Sequence, residues 1–206
     1  MKKFILVLAT LTFSIAAYSQ GFEIGIKGGV NITAAGAVKD LVPGVDIASK
    51  NNYNGGVYGR LKIKLIGIFV QPELVYNTRG YNFNITANGI TYNIKQQAYY
   101  LDVPVLVGLK VFKFLRVYAG PNFQYLLKNE ITGIDNIVSF QKTDMKKANT
   151  GVQIGFGLDL SKFRLDVKYD FNPTDMGSPF SYQGKAQLIK TSMVTIQLGY
   201  KLFGIL

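Results

Sequence analysis

The sequence predicts an all-β fold: an eight-stranded antiparallel up-and-down transmembrane β-barrel. Three observations predict it. Apolar and polar residues alternate with period two along eight segments. The connections between those segments alternate between short and long. Each segment is also about ten residues long, which is what a tilted strand needs to cross the hydrocarbon.

Composition sets the frame. The chain has 206 residues, 48% of them hydrophobic, and a mean hydropathy of +0.16 despite 22 glycines. After residue 17 no apolar run approaches the roughly 18 residues of a membrane helix. High apolarity without a helical span points to strands whose apolar positions are diluted by alternation.

The first strand sets Phe22, Ile24, Ile26, Val30 and Ile32 against Glu23, Gly25, Lys27, Gly29 and Asn31. The second, over residues 53–63, has Val57, Leu61 and Ile63 on one face and Tyr58, Arg60 and Lys62 on the other. Residues 68–77 give the third, with Leu74 and Tyr76 opposed to Gln71 and Glu73. In the fourth, Leu101, Val103, Val105, Val107 and Leu109 alternate with Asp102, Pro104, Leu106, Gly108 and Lys110. The fifth, residues 116–125, alternates Val117, Ala119 and Phe123 with Arg116, Tyr118 and Asn122. The sixth (152–160) carries Gln153 and Asp159 on its polar face. The seventh (163–171) carries Arg164, Asp166, Lys168 and Asp170, and the eighth (194–202) carries Thr195, Gln197 and Lys201. Short connections fall at 64–65, 111–114 and 161–162, and long polar ones at 33–52, 78–97, 128–149 and 172–190. Membrane barrels pair short periplasmic turns with long outer loops in this way.

Alternation alone leaves two senses open. A soluble barrel buries its apolar face, and a membrane barrel inverts it. Three features favour inversion. The polar face is rich in glycine (Gly25, Gly29, Gly108, Gly120, Gly155, Gly157, Gly199), which suits a crowded narrow interior. It also mixes the acids Glu23, Glu73, Asp102, Asp159, Asp166 and Asp170 with the bases Lys27, Arg60, Lys62, Lys110, Arg116, Arg164, Lys168 and Lys201. These are the expected interior charges, since an unpaired enclosed ion is very costly. Third, aromatics gather at the strand ends: Tyr53, Tyr76, Tyr125 and Phe171 toward the long loops, and Phe112, Phe114, Phe163 and Phe203 toward the short turns. Two interfacial girdles are expected. Pro72, Pro104 and Pro121 cannot donate to a ladder and are expected at bulges or near strand ends.

Residues 1–19 read as a secretory signal peptide: Lys2 and Lys3, an apolar stretch, then Ala17-Tyr18-Ser19 before the expected cleavage. Residues 20–206 form the expected barrel domain. The net charge is +11, without a long basic run, and favours contacts with anionic lipid headgroups over nucleic acid.

The chain contains no histidine and no cysteine, so an enzyme using a Ser-His-Asp triad lacks its base, and zinc or copper loses its preferred ligands. Asp166 and Asp170 lie two steps apart on one face and are the remaining candidates for carboxylate chemistry; ion pairing with Arg164, Lys168 and neighbouring strands explains them more simply. No catalytic residue, cofactor or metal is expected.

Asn88-Gly89 is a strong two-residue turn signal. Closing a hairpin there opposes Ala87 to Ile90, Ile85 to Tyr92 and Phe83 to Ile94. Phe83, Ile85, Ile90, Tyr92 and Ile94 have the opposite parity to the lipid-facing residues. Unless a bulge restores that parity, they turn an apolar face toward the barrel axis, either packing on other loops or binding a partner or hydrophobic ligand.

The run Tyr100-Leu101-Asp102-Val103-Pro104-Val105-Leu106, followed by Gly108-Leu109-Lys110, resembles the signature strand of the Bacteroidetes-type outer-membrane β-barrel domain family, the porin-family or PorT-type small barrels. Residues 25–31, Tyr118-Ala119-Gly120-Pro121 and Gly155-Phe156-Gly157-Leu158-Asp159 are similar to the same family. The resemblance implies the barrel fold and an outer-membrane location, and carries no catalytic residues.

The expected function is a non-enzymatic outer-membrane barrel with a structural or interaction role in the envelope. A narrow porin-like channel and a secreted lipocalin-like binding barrel are the alternatives. Expected partners are outer-membrane lipids, the barrel-assembly machinery during biogenesis and an unidentified envelope protein or extracellular ligand; no nucleic acid is expected.

Overall fold

The computed structural model describes residues 21–34, 45–49, 51–63, 67–87, 90–132, 140–142, 146–171, 180–182, 185–186 and 192–205. The proposed signal peptide lies outside them. The strands are β1 (Gly21–Ala34), β2 (Val45–Ser49), β3 (Asn51–Ile63), β4 (Ile68–Ala87), β5 (Ile90–Lys110), β6 (Leu115–Thr132), β7 (Phe140–Lys142), β8 (Ala148–Leu160), β9 (Phe163–Phe171), β10 (Phe180–Tyr182), β11 (Lys185–Ala186) and β12 (Ser192–Ile205). Eight of them close a ring in the order β1-β3-β4-β5-β6-β8-β9-β12, with β12 returning to pair with β1. Every neighbour in the ring is antiparallel. This is the expected up-and-down barrel, and closure leaves no edge for lipid to meet.

The sense is inverted, as a bilayer requires. Leu198 is 57% exposed and Ile154 52%, whereas Lys27 is 6% and Arg164 4% exposed. This sense excludes the lipocalin-like alternative, which needs the aliphatic face at its centre. The aromatic residues expected at both rims are all exposed. Several form ring pairs there, including Tyr76 with Tyr99 at 6.2 Å, and Phe163 with Tyr200 at 5.4 Å.

The prolines correct an expectation. None lies at a bulge or a strand end. The β3–β4 pairing skips the steps between Tyr58↔Glu73 and Leu61↔Val70, which contain Pro72, and resumes in the same register. The β4–β5 pairing skips two steps at Pro104, and the β5–β6 pairing two at Pro121. Each proline removes one donor and interrupts one ladder, while its other neighbour still holds it: Pro72↔Val105, Pro104↔Asn122 and Pro121↔Val152.

Among the described residues two register shifts lie elsewhere. The register of β1 with β12 shifts between Ile24 and Gly25, passing over Leu202, so Phe203 and Ile205 face outward beyond it. The register of β5 with β6 shifts between Tyr99 and Tyr100, passing over Leu127.

The strands β4, β5 and β6 are 20, 21 and 18 residues long, so they project well past the girdle. Within the long connection expected over 78–97, residues 78–87 and 90–97 pair as the expected hairpin ribbon. Its register opposes Phe83 to Ile94, Ile85 to Tyr92 and Ala87 to Ile90, without a shift between β4 and β5. The direction of those side chains lies outside the described residues. On the edge of β4 beyond β3, β2 adds a further strand, pairing Val45↔Ile85 through Ser49↔Tyr81. Segments of two long connections also pair, as β7, β10 and β11 form a separate small sheet.

Candidate functional site

Alternation sends every second side chain into a bore that eight strands leave just wide enough to fill. The glycines among them make room. A Cβ on Gly25 would come within 2.5 Å of the Tyr58 ring, and one on Gly108 within 2.4 Å of Phe69. On Gly157 it would lie 2.2 Å from Asp166 Oδ1 and 2.6 Å from Arg116 Nη2. The space of these missing side chains is occupied by large polar and aromatic residues of the interior.

The interior has three tiers. Toward the short turns, Glu23 accepts from Arg164 Nε at 3.0 Å, from Arg164 Nη2 at 3.1 Å and from the Tyr58 hydroxyl at 2.9 Å. Lys62 and Arg60 reach the same carboxylate at 3.0 and 3.4 Å. Asp159 gathers Arg116 at 2.6 Å, Arg164 at 3.1 Å, Lys110 at 3.3 Å and Arg60 at 3.5 Å. Asp166 accepts from Arg116 at 3.0 Å and from the Tyr118 hydroxyl at 2.7 Å. Arg164 also donates to the carbonyls of Ser161 and Phe163, both at 2.8 Å, which clamps the β8–β9 turn.

In the middle, Glu73 bridges Lys27 and, at 2.7 Å, Lys168. These three side chains come from β4, β1 and β9, so the bridge crosses the bore. Toward the long loops amides take a larger share of the network, around the Arg79–Asp102 pair. Asp102 accepts from Asn77 at 2.7 Å and Arg79 at 2.8 Å, and Asn122 donates to both Asp102 and Asp170 at 3.3 and 3.2 Å. Beside it runs an amide ladder in which Asn54 donates to Asn31 at 2.7 Å, and Gln197 to Asn54 at 2.6 Å.

Of the charges expected inside, Glu23, Lys27, Arg60, Glu73, Asp102, Arg116, Arg164, Asp166, Lys168 and Asp170 are buried. Asp159, Lys62 and Lys201 are half-buried at the short-turn rim, and Lys110 is exposed there. Lys110 ends its strand, and its long stem carries the ammonium to the opening. Of the ion pairing expected for Asp166 and Asp170, the part with another strand is present for Asp166, and the part with Arg164 and Lys168 is corrected. Arg164 and Lys168 pair with Glu23, Asp159 and Glu73, Asp166 pairs with Arg116, and Asp170 accepts from the neutral Asn122 and Gln153. Asp166 and Asp170 therefore share no ligand, and the two do not form a reacting pair.

Arg79 was missed. It is 3% exposed, packs 4.6 Å from the Tyr100 ring and holds Asp102. Parity carried two residues beyond Asn77 would have found it. Among the described residues no group of three or more His, Cys, Asp or Glu is placed to hold a metal. Beyond the loop-side girdle, Lys128 and Glu130 pair at 2.5 Å, and that hydrogen bond holds the Glu130 carboxyl below its ordinary range.

A closed ring with a lipid-facing apolar wall, two aromatic rims and an ion-paired interior defines a transmembrane barrel of the outer membrane. The chain belongs to the outer membrane protein beta-barrel domain family, whose model matches residues 16–176. Its structure is similar to that of the outer membrane protein OprG from Pseudomonas aeruginosa, at 13% identity and a TM-score of 0.53, over 90% of this chain and 97% of that one. It is also similar to Ail, the attachment invasion locus protein of Yersinia pestis, at 12% identity and a TM-score of 0.45, over 88% and 98% of the two chains. No curated protein matches the sequence.

Proposed function

We propose that this outer-membrane protein is a non-enzymatic, solute-tight barrel that presents its loop-side ribbon to envelope or extracellular partners. The observation that carries this reading is the cross-bore bridge of Lys27, Glu73 and Lys168, with salt-bridged tiers below it and an amide network above. Side chains tied across the axis leave no continuous water path. The short turns then face the periplasm, as family architecture favours. The motifs around Leu101–Lys110 support placing the chain with the Bacteroidetes-type, PorT-type members of its family.

Planar-bilayer recording tests the reading. The expected record is a quiet membrane after insertion. Steady currents abolished by Arg60→Gln or Arg116→Gln would replace it with the second reading, a narrow anion-preferring channel, which the excess of bases over acids at the short-turn end favours. The ribbon positions Phe83, Ile85, Ile90, Tyr92 and Ile94 are the proposed binding face. Alanine at Phe83 and Tyr92 should abolish partner capture without changing barrel heat stability.

A further inference from the structure

We infer that the short-turn mouth is a phosphate-binding site, a function separate from the solute-tight bore above it. A cavity of about 200 Å³ opens between the β3–β4 turn and the end of β5. Arg60, Lys62, Lys110 and Arg116 line it, against the single carboxylate of Asp159. Four cations to one acid is a strong imbalance for so small a space. It persists across the whole tier, where the described side chains of Arg60, Lys62, Lys110, Arg116 and Arg164 face only Glu23, Asp159 and Asp166.

The donors are not exhausted by these acids. Arg116 is 1% exposed, and its Nη1 has no hydrogen-bond partner among the described residues. A buried guanidinium nitrogen left without an acceptor is costly, so an incoming anion gains what the fold has left unmade. Lys110 has a side chain 37% exposed and one carboxylate contact, at 3.3 Å, so it can turn into the cavity. A planar guanidinium beside two rim ammoniums is the donor set that suits a tetrahedral oxyanion with several acceptor oxygens. The chemistry is that of a phosphate group. Ile63, 39% exposed, and Ile68 border the same cavity, so an acyl chain leaving the phosphate would run along the lipid-facing wall.

The same phosphate chemistry could arrive on a phospholipid headgroup or as free phosphate, and one experiment separates them. The purified barrel in octyl glucoside micelles, at low ionic strength, is titrated calorimetrically with inorganic phosphate and with dihexanoyl phosphatidic acid. Saturable binding near one equivalent is expected. The double variant Lys62→Gln/Lys110→Gln should weaken it by about tenfold or more, Lys110→Arg should retain it, and Lys128→Gln at the far end should leave it unchanged. Both lysines sit at the rim, and heat-modifiable gel mobility verifies that each variant is folded. Binding of phosphatidic acid alone assigns the site to a lipid headgroup, and equal binding of both probes assigns it to free phosphate. Absence of saturable binding by either probe, or a double variant that binds like the parent, overturns the inference. The outcome is independent of conductance, so it leaves the bilayer test of the barrel's tightness intact.

Discussion

Replacing Glu73 by glutamine keeps the shape of the side chain and removes the one charge that holds two ammoniums. The side chains of Lys27, Glu73 and Lys168 are 1%, 0% and 1% exposed, so solvent cannot replace the lost counter-charge. Breaking a buried pair by removing one partner costs about 3–5 kcal/mol. Here one carboxylate serves two cations, which places the expected loss in the upper half of that range. Glutamine retains an acceptor for Gln71, whose Nε2 donates to Glu73 at 2.6 Å, so the loss reports charge more than hydrogen bonding. The assay is urea unfolding in lipid vesicles, followed by far-UV circular dichroism and by gel mobility. The triple variant Lys27→Met/Glu73→Met/Lys168→Met is the matched control. With no ion left stranded, it should lie within about 2 kcal/mol of the parent. A Glu73→Gln cost below about 1 kcal/mol would show that water screens the tier. The plugged bore would then be wrong.

Further outcomes follow from close approach and from lipid contact. Gly157→Ala drives a methyl into the Arg116–Asp166 pair and should cost about 1–3 kcal/mol in the same unfolding assay. Gly120→Ala is worse placed, because its Cβ would lie 2.0 Å from the carbonyl oxygen of Val105, a backbone atom that cannot swing aside; the barrel should fail to reach its heat-modifiable form. Ile154→Arg, on the lipid face midway along β8, should cost about 2–4 kcal/mol in vesicles, whereas arginine at Phe112, in a rim turn, should cost under about 1 kcal/mol.

The barrel was legible because its two faces are chemically unlike along the whole chain. Ile24, Glu23 and Lys27 announce their sides by parity alone, and closure from β12 to β1 follows from an even count of alternating segments. Charge-pair identities were not legible. Parity states that Arg164 points inward, but not that it crosses to Glu23 and leaves Asp166 to Arg116; the stagger of the strands decides that. The bulge at Leu202 was hidden because Phe203 was read as a girdle residue at a strand end, where unbroken alternation from Leu198 would have turned it inward. Pro104 misled for a physical reason: each ring strand has two ladders, so a proline can forfeit steps on one and stay mid-strand through the other. Arg79 was overlooked because the inward parity was followed only to Asn77, although the pairing of β4 with β5 carries it on into the ribbon.

The absence of native cysteine permits the most direct test of the inverted sense. Single cysteines at Ile154, Val167 and Leu198 and at Gln153, Asp166 and Gln197 can each carry a nitroxide label, read by electron paramagnetic resonance in phospholipid bilayers. Period-two alternation is expected, with high collision rates with oxygen at the first three positions and low rates at the second three. Equal accessibility on both faces, or exposure of Ile154 and Leu198 to a water-soluble nickel relaxant, would contradict a barrel whose oily wall meets hydrocarbon.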